Sequence, residues 1–261
     1  MTKPKWTVDA HCHWSDPRTD GAKLLPQMIA AGILGFQLGG VEPSEWARQS
    51  ALRDQFPRHI WRAFGLHPYF VAREPRATLE LAWTELQKQA AEVEALGETG
   101  LDFRKQYLTN GKDIQREFFR RHLAMASGLR KPVVLHIVRA HEEALQDLKF
   151  GPISGMVHAF TQGPKIGRRY LDMGLHLSVG AKLLFPDTQD LAETVKFMPL
   201  ERLLLESDGP DQPPPGRQVH DSTTVWALNE RVAELKKLPL EQVIEQTRAN
   251  LLALIDRELR P

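Results

Sequence analysis

Short apolar runs alternate with longer amphipathic stretches along the whole chain, and this alternation points to the fold class. Eight runs have the length and apolar content of strands: Trp6–His11, Ile33–Leu38, Ile60–Leu66, Glu92–Glu98, Pro132–Ile137, Ile153–His158, Leu175–Val179 and Arg202–Ser207. The segments between them, such as Thr78–Ala90, Asp113–Gly128 and Thr188–Phe197, carry helical spacing, and Thr223–Leu238 and Leu240–Leu259 close the chain as two further helices. Alternation of this kind predicts parallel βα units. Eight units within 261 residues predict a single-domain (β/α)8 TIM barrel, an α/β fold spanning residues 1–261. The competing doubly wound sheet usually has a glycine-rich phosphate turn after its first strand. Here that place reads His11-Cys12-His13-Trp14-Ser15-Asp16. The proline-rich stretch Gly209–Asp221 is too short for a domain linker and reads as a rigid loop over the end of the eighth strand.

Charge and composition narrow the function classes. Thirty-four Lys and Arg face 33 Asp and Glu, which removes a strongly basic nucleic-acid binder and leaves only local patches. Two such clusters, Arg116–Arg121 and Gly167–Arg169, fall in helical segments and read as solvated faces. Cys12 is the one cysteine, so an internal disulfide is excluded and a reducing compartment is expected. The chain lacks the roughly 18 consecutive apolar residues of a membrane span, and its first ten residues lack a signal-peptide pattern. A cytoplasmic location is therefore expected. The six tryptophans, at 6, 14, 46, 61, 83 and 226, suit either core or interface.

The informative feature is where histidines and acids fall: at the C-terminal ends of the predicted strands, where barrels of this type place their chemistry. His11 and His13 alternate onto one strand face and Cys12 onto the other. Two adjacent imidazoles suit a divalent metal, although an H-x-H pair alone is more often a pair of surface or hydrogen-bonded core histidines. Glu98 follows an apolar run and is costly to bury unpaired; it reads as a salt-bridged core residue or a ligand. Glycines at 97 and 100 suggest a crowded backbone there. The fifth and sixth apolar runs each end in one histidine, His136 and His158. Glu206 and Asp208 alternate onto one face after the eighth run, where Asp208 suits a loop cap or a ligand. Six nitrogen and carboxylate donors at one barrel mouth, without a thiolate, suit Zn²⁺, Mn²⁺ or a similar ion. They exceed what one open tetrahedral zinc site needs and match two ions sharing a bridging carboxylate.

The ordered series DAHCH, GLHP, GETGLDF, PVVLH, MVHAF and LLLESDGP resembles the TatD family of metal-dependent hydrolases, (β/α)8 barrels of the amidohydrolase superfamily. The likeness runs from Val8 into the last helix, where Thr247-Arg248-Ala249-Asn250 matches a T-x-x-N pattern, and is greatest to the YjjV-like branch. It implies a deoxyribonuclease or phosphodiesterase with two divalent ions, Zn²⁺, Mn²⁺ or Mg²⁺. By this resemblance His11, His13, Glu98 and Asp208 hold one ion, and Glu98, His136 and His158 the other, with Glu98 bridging. His67 of GLHP would contact substrate at the mouth. The sequence departs from the family in two places. The frequent H-S-R or H-C-R reads His136-Ile137-Val138-Arg139, and E-T-D-[AS]-P reads Glu206-Ser207-Asp208-Gly209-Pro210. Both changes touch substrate recognition and spare the ligands.

The expected mechanism makes Asp208 the general base for a metal-activated water. His67 and Arg139 would hold a phosphate, and Asp9 and Glu206 would orient the ligands from behind. Small phosphoesters or nucleic-acid ends, single-stranded DNA among them, are the expected substrates; no membrane and no obligate protein partner is indicated. Three other readings compete. A hydrolase of an amide, lactone or non-phosphate ester on the same barrel often has a carboxylated lysine on the fourth strand, where Glu98 stands. A PHP-type phosphoesterase would end in D-x-H, where Asp208-Gly209-Pro210 stands. A non-catalytic metal-binding protein is disfavoured by the complete set of six donors.

Overall fold

The computed structural model describes residues 6–151, 153–216 and 220–259. Eight parallel strands lie in the order β1 to β8: Thr7–Cys12, Ile33–Leu38, Ile60–Phe64, Ala95–Asp102, Val133–Val138, Gly155–Val157, His176–Val179 and Leu203–Leu205. Ten α-helices among the described residues complete the barrel: α1 Gly21–Ala30, α2 Pro43–Gln55, α3 Pro68–Arg73, α4 Arg76–Gln89, α5 Gly111–Leu129, α6 His141–Asp147, α7 Pro164–Asp172, α8 Gln189–Phe197, α9 Thr224–Lys236 and α10 Leu240–Leu254. The predicted (β/α)8 architecture is thus observed, as one continuous eight-stranded sheet.

Neighbouring strands pair from β1–β2 through β7–β8. The seam between β8 and β1 is closed just beyond the strand ends. His13 donates its backbone N–H to the Gly209 carbonyl at 2.7 Å, and Asp208 donates to the His11 carbonyl at 3.0 Å. The buried Asp9 carboxylate grips both sides, accepting the N–H groups of His11 and Ser207 and, at 2.6 Å, the Ser207 hydroxyl. Burial pushes the Asp9 carboxyl up to about 7, against the pull of these hydrogen bonds.

The two ends of the barrel differ in chemistry. Near the strands' N-terminal ends, Val8, Ala95, Val134, Met156 and Leu204 pack with Leu251 and Ile255 at the end of α10. Asn250 of the T-x-x-N pattern donates to the carbonyls of Leu200 and Leu203, pinning α10 against the start of β8. The polar residues gather at the opposite end. Trp14, Trp46, Trp61 and Trp83 are core residues, while Trp6 lies under Arg248 and Trp226 donates to the Ala31 carbonyl. Cys12 is buried, with its thiol near the Gln37 carbonyl.

Several element boundaries differ from the sequence expectation. β4 starts at Ala95, because residues 90–92 form a 3-10 turn, and runs on to Asp102, so Glu98 lies mid-strand. β8 ends at Leu205, and Asp208 adopts a left-handed φ of 56°. The strict alternation expected of Glu206 and Asp208 is therefore broken, and the two carboxylates face different partners. The last helix ends at Leu254, five residues before the predicted Leu259. The proline-rich loop does pass over the end of β8, tied down by Arg18 donating to Asp211 and by Gln212 donating to Asp208; residues 217–219 of it lie outside the described residues.

Candidate metal centre

Glu98 is the centre of the polar end, 1% exposed and surrounded by imidazoles. Its Oε1 lies 3.3 Å from Nε2 of both His11 and His13. Its Oε2 lies 2.8 Å from His158 Nε2, and 3.5 Å from both His136 Nδ1 and His67 Nε2. Asp208 closes the first group, with Oδ1 3.3 Å from His13 Nε2 and 3.9 Å from His11 Nε2. All six residues expected as ligands therefore meet in one buried cluster. Three overlapping groups have donor atoms within 4.8 Å of one another: His11–His13–Glu98, His11–His158–Asp208 and His67–Glu98–His136.

The backbone explains this convergence. His11 and His13 share a face, with Nε2 atoms 3.2 Å apart. Strand β4 carries glycine on both sides of Glu98. Gly97 and Gly100 have φ of +145° and +142°, and a Cβ at Gly100 would stand 2.1 Å from the His136 carbonyl oxygen. Gly100 is the cross-strand partner of His136. The His136 ring thus lies between two acids of one strand face, Nδ1 toward Glu98 and Nε2 3.2 Å from Asp102 Oδ2.

Electrostatics sort these groups. Burial alone would raise the Glu98 carboxyl, but His158, His11 and His13 hold it well below the carboxylate range. Burial opposes charge on His13 and His158, yet Glu98 outweighs it: His13 rises to about 9, and His158, helped by Glu206, goes well above its usual value. Asp208, despite burial, is held at about 2 by His13 and its neighbours. Imidazole nitrogens and carboxylates facing one another in this way suit a shared cation in place of protons on His13 and His158. Glu98 Oε1 makes this concrete, as a buried carboxylate oxygen without a hydrogen-bond partner. The donor set fits a divalent metal.

His67 is placed deeper than expected. It is 2% exposed and faces Glu98. Its Nδ1 accepts the Tyr69 N–H at 3.0 Å, so the neutral ring carries its proton on Nε2. Burial and the neighbouring His136 push it down to about 3, which keeps it neutral. Glu206 stands behind His158, with Oε1 3.7 Å from Nδ1, and accepts the Ala159 N–H and the Ser178 hydroxyl. Asp9 acts on the backbones that carry His11 and Asp208 and leaves the ligand rings untouched. Arg139 is not brought to the site: it is exposed, with a left-handed φ of 55°, and does not line the cavity.

A cavity of about 500 Å³ opens over the cluster. Its lining includes Glu45, Tyr69, Arg104, Arg18 and Gln212, which sequence reasoning missed. Burial raises the Glu45 carboxyl to about 7. Asp102, also missed, had a legible signal: on a strand continuing past Glu98, residues 98, 100 and 102 share a face. The two basic clusters are committed elsewhere. Arg116 and Arg120 bind Asp147, Arg121 binds Glu80, Arg169 binds Glu142, and Arg168 lies over Phe197.

Fold and donor set together define a metal-dependent hydrolase. The family model described as TatD related DNase matches residues 8–256, and the chain belongs to the TatD family. It is 28% identical to the metal-dependent hydrolase YjjV of Escherichia coli over 95% of this chain and 97% of that protein. It is 31% identical to a metal-dependent hydrolase of Buchnera aphidicola over 95% and 98%. The crystal structure of YjjV superposes with a TM-score of 0.85 over 98% of this chain and 99% of that one, at 25% identity. A dihydroorotase from Campylobacter jejuni shares the fold, with a TM-score of 0.67 at 13% identity. Among the described residues, no helix is long and apolar enough to cross a membrane.

Proposed function

We propose that this chain is a phosphodiesterase of the deoxyribonuclease type, working with two divalent cations on small phosphoesters or nucleic-acid ends, single-stranded DNA included. The observation that carries the dinuclear reading is Glu98, whose two oxygens face separate imidazole groups, His11 with His13 and His158 with His136. On this reading Asp208 would complete the first set, with Glu98 serving both. Cations held there would lower the pKa of a bound water and offset charge on the phosphoryl oxygens.

The chain's own residues supply the proton path. Asp208 is ionised at neutral pH, and Gln212 fixes its Oδ2 by donating at 2.6 Å. It takes a proton from the attacking water as the water oxygen bonds to phosphorus. When the ester P–O bond breaks, Asp208 returns that proton to the leaving oxygen. His67 Nε2–H serves as a donor to a non-bridging oxygen. The cavity suits a strand end better than the middle of a duplex, and the near-neutral charge gives little drive for duplex binding.

The test is hydrolysis of bis-p-nitrophenyl phosphate by chelator-stripped protein reloaded with Mn²⁺, Zn²⁺ or Mg²⁺, beside Asp208→Asn. Turnover should return with metal and fall at least about a hundredfold in the variant, within the range for loss of a general base. Two bound ions per chain without turnover of this ester or of end-labelled DNA would refute the phosphodiesterase reading and direct the search to amides and lactones.

A further inference from the structure

The family's H-S-R pattern puts an arginine two residues after the fifth-strand histidine, and that position is Val138 here. Arg139, next in the chain, is exposed and does not line the cavity. Two arginines do line the cavity, Arg18 and Arg104, and they differ in what they have left to offer. Arg18 is engaged at every guanidinium nitrogen: Nε, Nη1 and Nη2 all donate to Asp16 or Asp211. Arg104 donates through Nε and Nη2 to Asp102, and through Nη2 to the Tyr69 hydroxyl. Its Nη1 makes no hydrogen bond among the described residues. The Tyr69 oxygen accepts from Arg104, which leaves its own hydrogen free to donate.

This guanidinium is held rigidly. Asp102 is fully buried, and the Arg104 group sits at the edge of the stacked rings of Tyr69 and Tyr107, 5.5 and 5.0 Å from their centroids. A planar cation fixed by a carboxylate and a tyrosine hydroxyl loses little freedom on binding an anion. Its place relative to the cluster is also defined. Asp102 is the cross-strand partner of Val138, so Arg104 enters the cavity beside the strand position that lacks the arginine. It lies beyond the His136 ring, connected through Asp102 Oδ2, which is 3.2 Å from His136 Nε2 and 2.6 Å from Arg104 Nη2.

We propose that Arg104 and Tyr69 form an anion seat for a second phosphate carried by the substrate next to the scissile ester. The inference rests on the phosphodiesterase reading for its substrate class, and it selects, within that class, esters with a flanking phosphate. A strand end has one; an isolated diester does not. Arg104 takes up, from just beyond β4, the recognition task left open at Val138.

The probes are thymidine 3′,5′-bisphosphate and thymidine 5′-phosphate, titrated calorimetrically into the metal-loaded protein. Comparing the two cancels any contribution that both draw from the metal centre. The wild type should bind the bisphosphate at least about tenfold more tightly, the scale of one charge-assisted, partly bidentate contact. Arg104→Ala should bring that ratio close to one, with metal content and thermal unfolding as controls for the site and the fold. Arg104→Lys, which keeps the charge against Asp102 but loses the planar fork, should retain only part of it. Tyr69→Phe should reduce the ratio without abolishing it. A wild-type ratio near one, a ratio retained in Arg104→Ala, or its loss in Arg139→Ala instead would each overturn the seat. An intact ratio in a protein that hydrolyses no phosphodiester would leave the seat standing and refute the catalytic reading alone.

Discussion

Histidines in this chain are sorted by what each ring nitrogen meets. His11, His13, His136 and His158 turn a nitrogen to Glu98. His122 does something else: its Nδ1 donates to the Phe118 carbonyl and its Nε2 accepts the Leu66 N–H, which holds the loop leading to His67. Burial pushes His122 down from 6.5 to about 4. In the unfolded chain it gains a proton near 6.5, whereas the folded form resists until about 4, so stability is lost as pH falls through that window. The loss amounts to roughly 3–4 kcal/mol at most, at about 1.4 kcal/mol per pKa unit. His122→Gln keeps an acceptor for Leu66 and has no proton to gain. Urea unfolding from pH 7.5 to 4.5 should show wild type ahead at the high end and the gap closing toward the low end. Parallel curves would show that His122 does not set this acid limb. The sequence offered no way to see this residue, because a histidine on an amphipathic helix has the same pattern whether it is solvated or anchors a loop. The strand-end histidines were legible because an apolar run ending in a lone imidazole has few explanations, and several such runs in one barrel share one mouth.

At the scale of the element, β4 organises the centre. It carries Glu98 and Asp102 on one face, and it bends close to β5 because Gly97 and Gly100 have no side chain. The two glycines were readable as crowding. The strand's extent was not, since the apolar run ends at Leu96 and the polar residues after it look like a loop. That misplaced boundary hid Asp102 and Arg104. Arg139, the arginine nearest the H-S-R position after His136, was favoured over Arg104, which does line the cavity. The same effect at β8 made Glu206 and Asp208 look like alternating strand residues, when the chain has already left the sheet and turns through a left-handed φ at Asp208. Gly100→Ala is the sharp test of β4. Its Cβ would overlap the His136 carbonyl at a φ of +142°. Together the overlap and the backbone conformation should cost about 2 kcal/mol or more. Thermal unfolding should show a lowered midpoint, and metal analysis a loss of bound ion, because the displaced strand is the one that carries His136. A variant with unchanged stability and full metal content would mean that β4 and β5 can separate without disturbing the centre.

For the whole molecule, the consequence is coupling between the metal centre and barrel closure. The candidate donors come from β1 and the residue after it, β4, β5, the residue after β6 and the turn after β8, so the site exists only when both sides of the β8–β1 seam are in place. Barrel topology was predictable from eight alternating units, but the seam was not, because it is made by backbone groups of residues 11, 13, 208 and 209 and by the Asp9 side chain rather than by a ninth pairing pattern. A cation that binds only the closed barrel must stabilise it. At a free ion concentration a hundred times the dissociation constant the gain is about 2.7 kcal/mol per site, which at roughly 2–4 °C per kcal/mol raises the unfolding midpoint by about 5–10 °C. Chelator-treated protein should therefore melt lower, and its midpoint should climb with added Mn²⁺ or Zn²⁺. Asp9→Ala isolates the seam from the ligands, since it removes both carboxylate oxygens that accept from Ser207 and His11 while leaving every donor to the ion in the chain. It should lower the midpoint of the metal-free protein and weaken metal binding together. A variant that melts early yet binds metal with wild-type affinity would separate the two and show that the centre forms without a closed seam.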